Sequence, residues 1–128
     1  ISAMLLAAID SVKHRQPIER LRDFILSRQR GDGSFGYKIG PYATLGDVSQ
    51  VQYVTLALWS IKQGNIDVNP TAVERVCTWI MKAQGGDGSW GYQFPGPFDP
   101  THQMLAAGLS ATLIAGDTLG VMRGPGAK

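Results

Sequence analysis

The strongest constraint on the fold is an internal repeat. Residues 18–37 align without gaps on residues 73–92, at an offset of 55 residues, and ten of the twenty aligned positions are identical. Repetition of this kind is typical of proteins built from similar units, each of which buries its apolar face against the next. The chain is therefore expected to form a single repeat domain over residues 1–128 that contains at least two copies of one unit.

Each copy begins with the pattern of an amphipathic helix and ends in a glycine-rich turn. In the second copy, apolar residues recur at the spacing of one helical face, while Asn69 and Pro70 favour a helix start as N-cap and first residue. Gly-Asp-Gly-Ser follows in both copies, where glycine permits positive φ and aspartate favours a turn. The sequence thus predicts helices over residues 17–29 and 70–84, each followed by an ordered turn.

A second kind of helix is predicted between the amphipathic ones. Residues 48–61 carry no charge and are apolar on all sides of a helical wheel, residues 101–116 behave alike, and residues 4–9 resemble part of 101–116. A helix with this composition is expected to be buried all round. Because no segment alternates strictly between apolar and polar residues, the predicted class is all-α, with five helices and no strands.

Composition excludes several classes of function. The formal charge of +2 is spread in both signs, which predicts no nucleic-acid partner. The one cysteine, Cys77, lies on an apolar helical stripe and allows neither an intramolecular disulfide nor a multi-thiolate metal site. No uncharged run reaches the roughly 20 apolar residues of a membrane span. The missing initial methionine predicts a fragment of a longer protein, and the compartment stays open.

The repeated residues resemble a known motif. Its pattern is a basic residue, an aromatic, an aliphatic, Gln and Gly-x-Trp, matched in the second copy by Arg75, Trp79, Ile80, Gln84, Gly88 and Trp90. The first copy matches with Arg20, Phe24, Ile25, Gln29, Gly33 and, in place of the final tryptophan, Phe35. This is similar to the QW motif of the squalene cyclase and protein prenyltransferase repeat family. The small residue usual after the basic one is replaced by Leu21 and Val76.

The resemblance implies a partial α/α toroid of about two and a half helical-pair repeats, with the amphipathic helices outside and the uncharged helices inside. It also implies a structural role for the motif residues Gln29, Gly33, Phe35, Gln84, Gly88 and Trp90, with the two aromatic residues filling gaps between repeats. Closed toroids of the family need more helical pairs, so the resemblance predicts either self-association or packing against the remainder of a parent chain.

In this family the mouth of the cavity lies where the inner helices begin, and the resemblance therefore implies ligand-binding candidates at Asp47, Gln50, Tyr53, Asp99 and His102. Several of these residues also fit structural roles. Asp47 followed by Gln50 is a capping-box pattern, Asp99 before Pro100 is an N-cap pattern, and His102 fits a hydrogen-bonded histidine in a first helical turn.

The motifs that carry chemistry in the family are missing from this sequence. The cyclases use an aspartic acid in a DxDD motif to protonate an olefin, and no DxDD occurs here. The prenyltransferases hold zinc with an Asp-x-Cys pair, but Ser49 stands two residues after Asp47. No catalytic residue, metal or cofactor is therefore predicted.

Three hypotheses about function remain open. The first is a cyclase- or prenyltransferase-like module that binds an apolar, isoprenoid-like ligand between its inner helices. The second is a noncatalytic scaffold or protein-interaction domain, which the missing motifs favour. The third is a carbohydrate-active toroid, for which only Asp47 and Asp99 offer a carboxylate pair.

Overall fold

The structure is a computed structural model that describes residues 13–37, 40, 44–96 and 98–123, with side chains described up to residue 120. The described residues contain four α-helices: α1 (Arg15–Ser27), α2 (Val48–Gln63), α3 (Pro70–Ala83) and α4 (His102–Arg123). The predicted all-α class is thereby confirmed. The helix predicted over residues 4–9 lies outside the described residues.

Helix α4 is longer than the sequence predicts. The sequence predicts an uncharged helix over residues 101–116, yet the helix continues past Gly116 to Arg123. Thr118 is buried, and Leu119 packs against an apolar cluster. Packing in the next turn thus outweighs the low helical propensity of one glycine.

Two very short strands, which the sequence did not predict, join the connections that follow the repeats. Strand β1 (Gly46–Asp47) pairs antiparallel with β2 (Gln93–Phe94), so that Asp47 lies opposite Gln93. The prediction that strands are missing is wrong at these residues. A two-residue strand is too short to show an alternating pattern, so the sequence carries no signal for it.

Two apolar clusters fix the directions of the helices. One contains residues from the beginnings of α2 and α4 and from the end of α3, including Val51, Ala107 and Ile80. The other contains Leu58 and Ala115, from farther along α2 and α4, with residues near the starts of α1 and α3. Helices α2 and α4 therefore run side by side in the same direction, and α1 and α3 pack against them in the opposite direction.

The uncharged helices are not buried all round, which corrects the sequence prediction. On α4, Leu109 is 51% exposed and Leu113 is 66% exposed, and on α2 Tyr53 is exposed. The opposite faces of the same helices are buried, for example at Val51 and Ala111. Among the described residues, each uncharged helix therefore has one packed face and one open face.

Candidate functional site

The two glycine-rich turns have the same internal geometry. In the first turn (residues 30–34), Asp32 Oδ1 accepts hydrogen bonds from Ser34 N at 3.0 Å and from Ser34 Oγ at 2.6 Å. In the second turn (residues 85–89), Asp87 Oδ1 accepts the same two bonds from Ser89 at the same distances. The sequence repeat is therefore also a structural repeat, closed locally by the Asp and Ser side chains.

The Gln and Gly that recur in both copies of the repeat also have the same geometry in each copy. Gln29 Nε2 donates to Gly33 O at 3.0 Å, and Gln84 Nε2 donates to Gly88 O at 2.9 Å. Both glycines have positive φ, 92° and 88° respectively, a conformation that glycine adopts without steric cost. Each glutamine thus links the end of its helix, by a hydrogen bond, to the glycine of its turn that has positive φ.

The first turn also contacts α3, the amphipathic helix of the second copy of the repeat. Gln29 Nε2 donates a second bond to Ala72 O at 2.9 Å, in the first turn of α3. Arg75 Nη2 donates to Arg30 O at 3.0 Å and to Gly31 O at 2.6 Å. A Cβ atom on Gly33 would lie 2.5 Å from Arg75 O, so the backbones approach closely. The first turn is therefore a contact between the two copies.

The second turn contacts no following helix among the described residues, although the ring of Phe98 lies against it: a Cβ atom on Gly85 would be 2.5 Å from Phe98 Cζ. The side chain of Gln84 is exposed, and Gly88 O is its one described acceptor. The nearest atom to a Cβ on Gly88 would be Gln84 Nε2 itself, at 3.7 Å. Two turns of one geometry thus differ in what packs against them.

The aromatic residues after the turns, Phe35 and Trp90, are both buried in the first apolar cluster. Trp90 Nε1 donates to Ile80 O at 2.9 Å, which satisfies a carbonyl in the last turn of α3. Its indole ring also lies directly against Gly108 of α4, where a Cβ atom would have no room. Trp90 therefore joins α3 to α4.

Replacing Gln29 with alanine is expected to destabilise the fold more than replacing Gln84. The Gln29 amide loses two bonds at a half-buried position, one of them to the next helix, whereas Gln84 loses one exposed bond. We expect the free energy of unfolding to fall by about 1–2 kcal/mol for Gln29→Ala and by about 0.5 kcal/mol for Gln84→Ala. Both substitutions are therefore expected to lower the melting temperature. Urea unfolding of both variants measures the difference, and a larger loss for Gln84→Ala would contradict the unequal roles.

Asp47 is a buried structural residue. Its Oδ1 accepts from Gln50 N at 3.1 Å, which caps α2, and from Ser49 Oγ. Its Oδ2 accepts from Gln93 Nε2 at 3.1 Å. The predicted capping role of Asp47 is confirmed, but the return bond of a capping box is not formed, because the N–H of Asp47 donates to Phe35 O. Both carboxylate oxygens thus hold the start of α2 and its link to the second connection.

Gln50 lines an open groove of about 670 Å³ between the end of α1, the residues after the first turn and the start of α2. The lining mixes apolar residues such as Phe24 and Val54 with basic ones such as Arg28. Asp47 and Tyr53 do not line it. The groove therefore contains one of the five predicted ligand-binding residues.

The other candidates are exposed and do not converge with Asp47. Asp99 and His102 lie at the surface, and within the described part of the chain no hydrogen bond or ion pair links either of them to Asp47 or Gln50. The prediction that Asp99 is the N-cap is wrong, because α4 starts at His102 and Thr101 Oγ1 accepts from Met104 N at 3.1 Å. The predicted site is thus not one cluster of polar side chains.

An apolar stripe, which the site prediction missed, runs along α4. Leu105, Leu109 and Leu113 recur at every fourth residue and are all exposed, so they share one helical face. The sequence signal for the stripe is the lack of charge in this segment, which by itself predicts burial on all sides. The stripe is one of the main exposed apolar features of the described residues.

Cys77 is half-buried and packs against the second cluster. Burial, and to a smaller extent the charge of Glu74, raise the pKa of its thiol, which favours the protonated form. Among the described residues, no group of three His, Cys, Asp or Glu side chains could hold a metal ion. No helix in that part of the chain is both long and apolar enough to cross a bilayer.

The side-chain hydrogen bond from Ser89, helped by the bond from its N–H, holds the pKa of Asp87 below its ordinary value of 3.8. Because the native pKa is below that of the unfolded chain, the turn is stabilised at pH values above the unfolded pKa and weakens as pH falls through the native one. We expect Ser89→Ala to raise the pKa of Asp87, as measured by NMR titration of its carboxyl carbon. Ser110→Ala is the control, and an unchanged value in Ser89→Ala would contradict the assignment.

Comparison with known proteins found no matching family model and no significant similarity to a curated protein or a solved structure.

Proposed function

We propose that this chain is a repeat module of the squalene cyclase and prenyltransferase type, an arc of an α/α toroid whose inner helices form one wall of a site for an isoprenoid-like ligand. In this arrangement α2 and α4 are the inner helices, and α1 and α3 are the outer ones. The observation that carries the proposal is the exposed leucine stripe of α4.

The chemistry of the stripe suits an isoprenoid chain. Such a chain is apolar and flexible and offers few hydrogen-bonding groups, so it is held by apolar contact area. Leu105, Leu109 and Leu113 give three contacts along one line, with no charged residue between 103 and 116. On a helix that rises 1.5 Å per residue, they cover about 12 Å, roughly the length of two or three isoprene units.

The proposed role is binding, without acid catalysis by the described residues. An acid that protonates an olefin must be protonated and aimed into the apolar site. Asp47 instead has both oxygens engaged by hydrogen bonds, at the start of α2. Asp99 is exposed and lies outside the groove. The same two observations argue against a carbohydrate-active pair of carboxylates.

Binding of radiolabelled farnesol, measured by equilibrium dialysis, tests the proposal. We expect saturable binding by the native chain and at least about tenfold weaker binding by Leu109→Asp, because a carboxylate in an apolar contact loses its hydration. Met81→Asp is the matched control, since Met81 is 63% exposed on α3, away from the stripe. Lack of saturable binding, or equal weakening by both substitutions, would refute the proposal.

The second candidate function is a noncatalytic scaffold. It is favoured by the contacts between copies, in which Gln29 and Arg75 bond backbone carbonyls across the repeat. These bonds organise a repeat array and need no ligand. Failure of the farnesol experiment in a folded chain would leave this function in first place.

A further inference from the structure

We propose that the chain associates head to tail with a second copy of itself, with α1 of one copy docking on the second turn (residues 85–89) of the other. This interaction surface goes beyond the proposed function and does not depend on it. The contact between the two copies of the repeat is the template for this contact between two molecules.

The template is the contact between helix α3 and the first turn. Arg75 donates to the carbonyl groups of residues 30 and 31, and a Cβ on Gly46 would lie 2.5 Å from Trp79 Cζ2. Trp79 is one helical turn after Arg75, so both side chains lie on one face of α3. The arginine thus docks on the preceding turn, and the aromatic residue four positions later packs against Gly46 of β1.

Helix α1 has the same pair of residues on an exposed face. Arg20 aligns with Arg75, and Phe24 aligns with Trp79. Arg20 is exposed and makes no hydrogen bond or ion pair with the described part of the chain, and Phe24 is 59% exposed, with its ring in contact with Arg28. We call Arg20 and Phe24 the head of the molecule.

The second turn is the matching acceptor, and we call it the tail. It has the backbone and side-chain hydrogen bonds of the first turn: Gly85 N donates to Ser89 O at 2.8 Å, as Arg30 N donates to Ser34 O. No described residue occupies beside Gly88 the space that Arg75 O occupies beside Gly33. No arginine bonds Gly85 O or Gly86 O in the described residues. The carbonyl groups of Gly85 and Gly86 are therefore preformed acceptors for an arginine on an incoming helix, beside the Phe98 ring that already lies against Gly85.

A second copy is the occupant that this complementarity selects. The head and tail lie on different surfaces of one chain. The head offers guanidinium donors and an aromatic ring, and the tail offers carbonyl acceptors and a backbone that is open at Gly86 and Gly88 within the described residues. Surfaces of this kind form heterologous contacts, in which one copy's head binds the next copy's tail.

Sedimentation velocity of the purified chain tests the proposal with two variants at exposed positions. The head variant is Arg20→Ala/Phe24→Ala. The tail variant is Gly86→Arg, which places a positive charge where Arg20 would dock; a Cβ atom there meets no neighbour, so the fold is undisturbed. Arg15→Ala, on the other side of α1, is the control.

We expect native chain and Arg15→Ala to gain average mass over about a hundredfold range of concentration, while each variant alone stays monomeric. An equimolar mixture of the two variants retains one intact head and one intact tail, so it is expected to form heterodimers and nothing larger. A native chain that is monomeric throughout would overturn the proposal. Association of either folded variant alone, or a failure of the mixture to form heterodimers, would do the same.

Discussion

Replacing Trp90 with alanine is expected to lower the free energy of unfolding by about 3–5 kcal/mol, the range typical of removing a buried aromatic side chain. Trp90 is 2% exposed and lies against Gly108, and the side chains around it come from three helices. The substitution leaves a cavity at the junction of α3 and α4 and also removes the donor to Ile80 O. Urea unfolding followed by circular dichroism measures the loss.

Two further variants separate the contributions to this effect. Trp90→Phe mimics the first copy, which has Phe35 at this position, and we expect it to lose about 1–2 kcal/mol because the Ile80 carbonyl has no donor. Tyr53→Ala removes an exposed aromatic side chain and is expected to change stability by at most about 0.5 kcal/mol. If Trp90→Ala cost no more than Tyr53→Ala, the role of Trp90 in joining α3 to α4 would be wrong.

Alanine at Gly33 is expected to destabilise the chain far more than alanine at Gly88. Both residues have positive φ, so each substitution costs about 1–2 kcal/mol through left-handed backbone strain. At Gly33 the new methyl group would also lie 2.5 Å from Arg75 O and force α3 to move. Overpacking of this kind adds about 1–3 kcal/mol.

The pair is well matched because sequence, φ and local hydrogen bonds are equivalent at the two positions. The difference between the two losses in urea unfolding therefore measures the close approach of α3 alone. Equal losses of unfolding free energy for the two variants would show that α3 does not approach the first turn closely at Gly33.

The fold was predicted best where its determinants are local. The helix starts at Pro70 and Val48 follow from caps and from residue periodicity, and the structure has them at those residues. The turn geometry follows from glycine, aspartate and serine within five residues, so two similar sequences give two similar turns. A repeat in sequence was therefore sufficient to predict a repeat in structure.

The candidate site was predicted less well, because burial depends on partners that are distant in sequence. The lack of charge in a helix predicts that some of its faces are buried, but it does not indicate which faces have neighbours. For this reason the exposure of Leu109 and Leu113 could not be predicted. The start of α4 shows a similar ambiguity. Asp99 and Thr101 are both good N-caps, and the backbone of Asp99 lies against Gly91, which holds it in the connection.

Hydrogen exchange at the two turns tests most directly the central claim, that the two copies of the repeat are stacked through the first turn. The amides of Arg30 and Gly33 make the same hydrogen bonds as those of Gly85 and Gly88, at 2.8 and 2.9 Å in each turn. Exchange is measured by NMR on the head variant, so that association does not cover the second turn. We predict slower exchange at Arg30 and Gly33, because opening the first turn also breaks its bonds to α3. Equal exchange at the two turns would contradict the stacked arrangement.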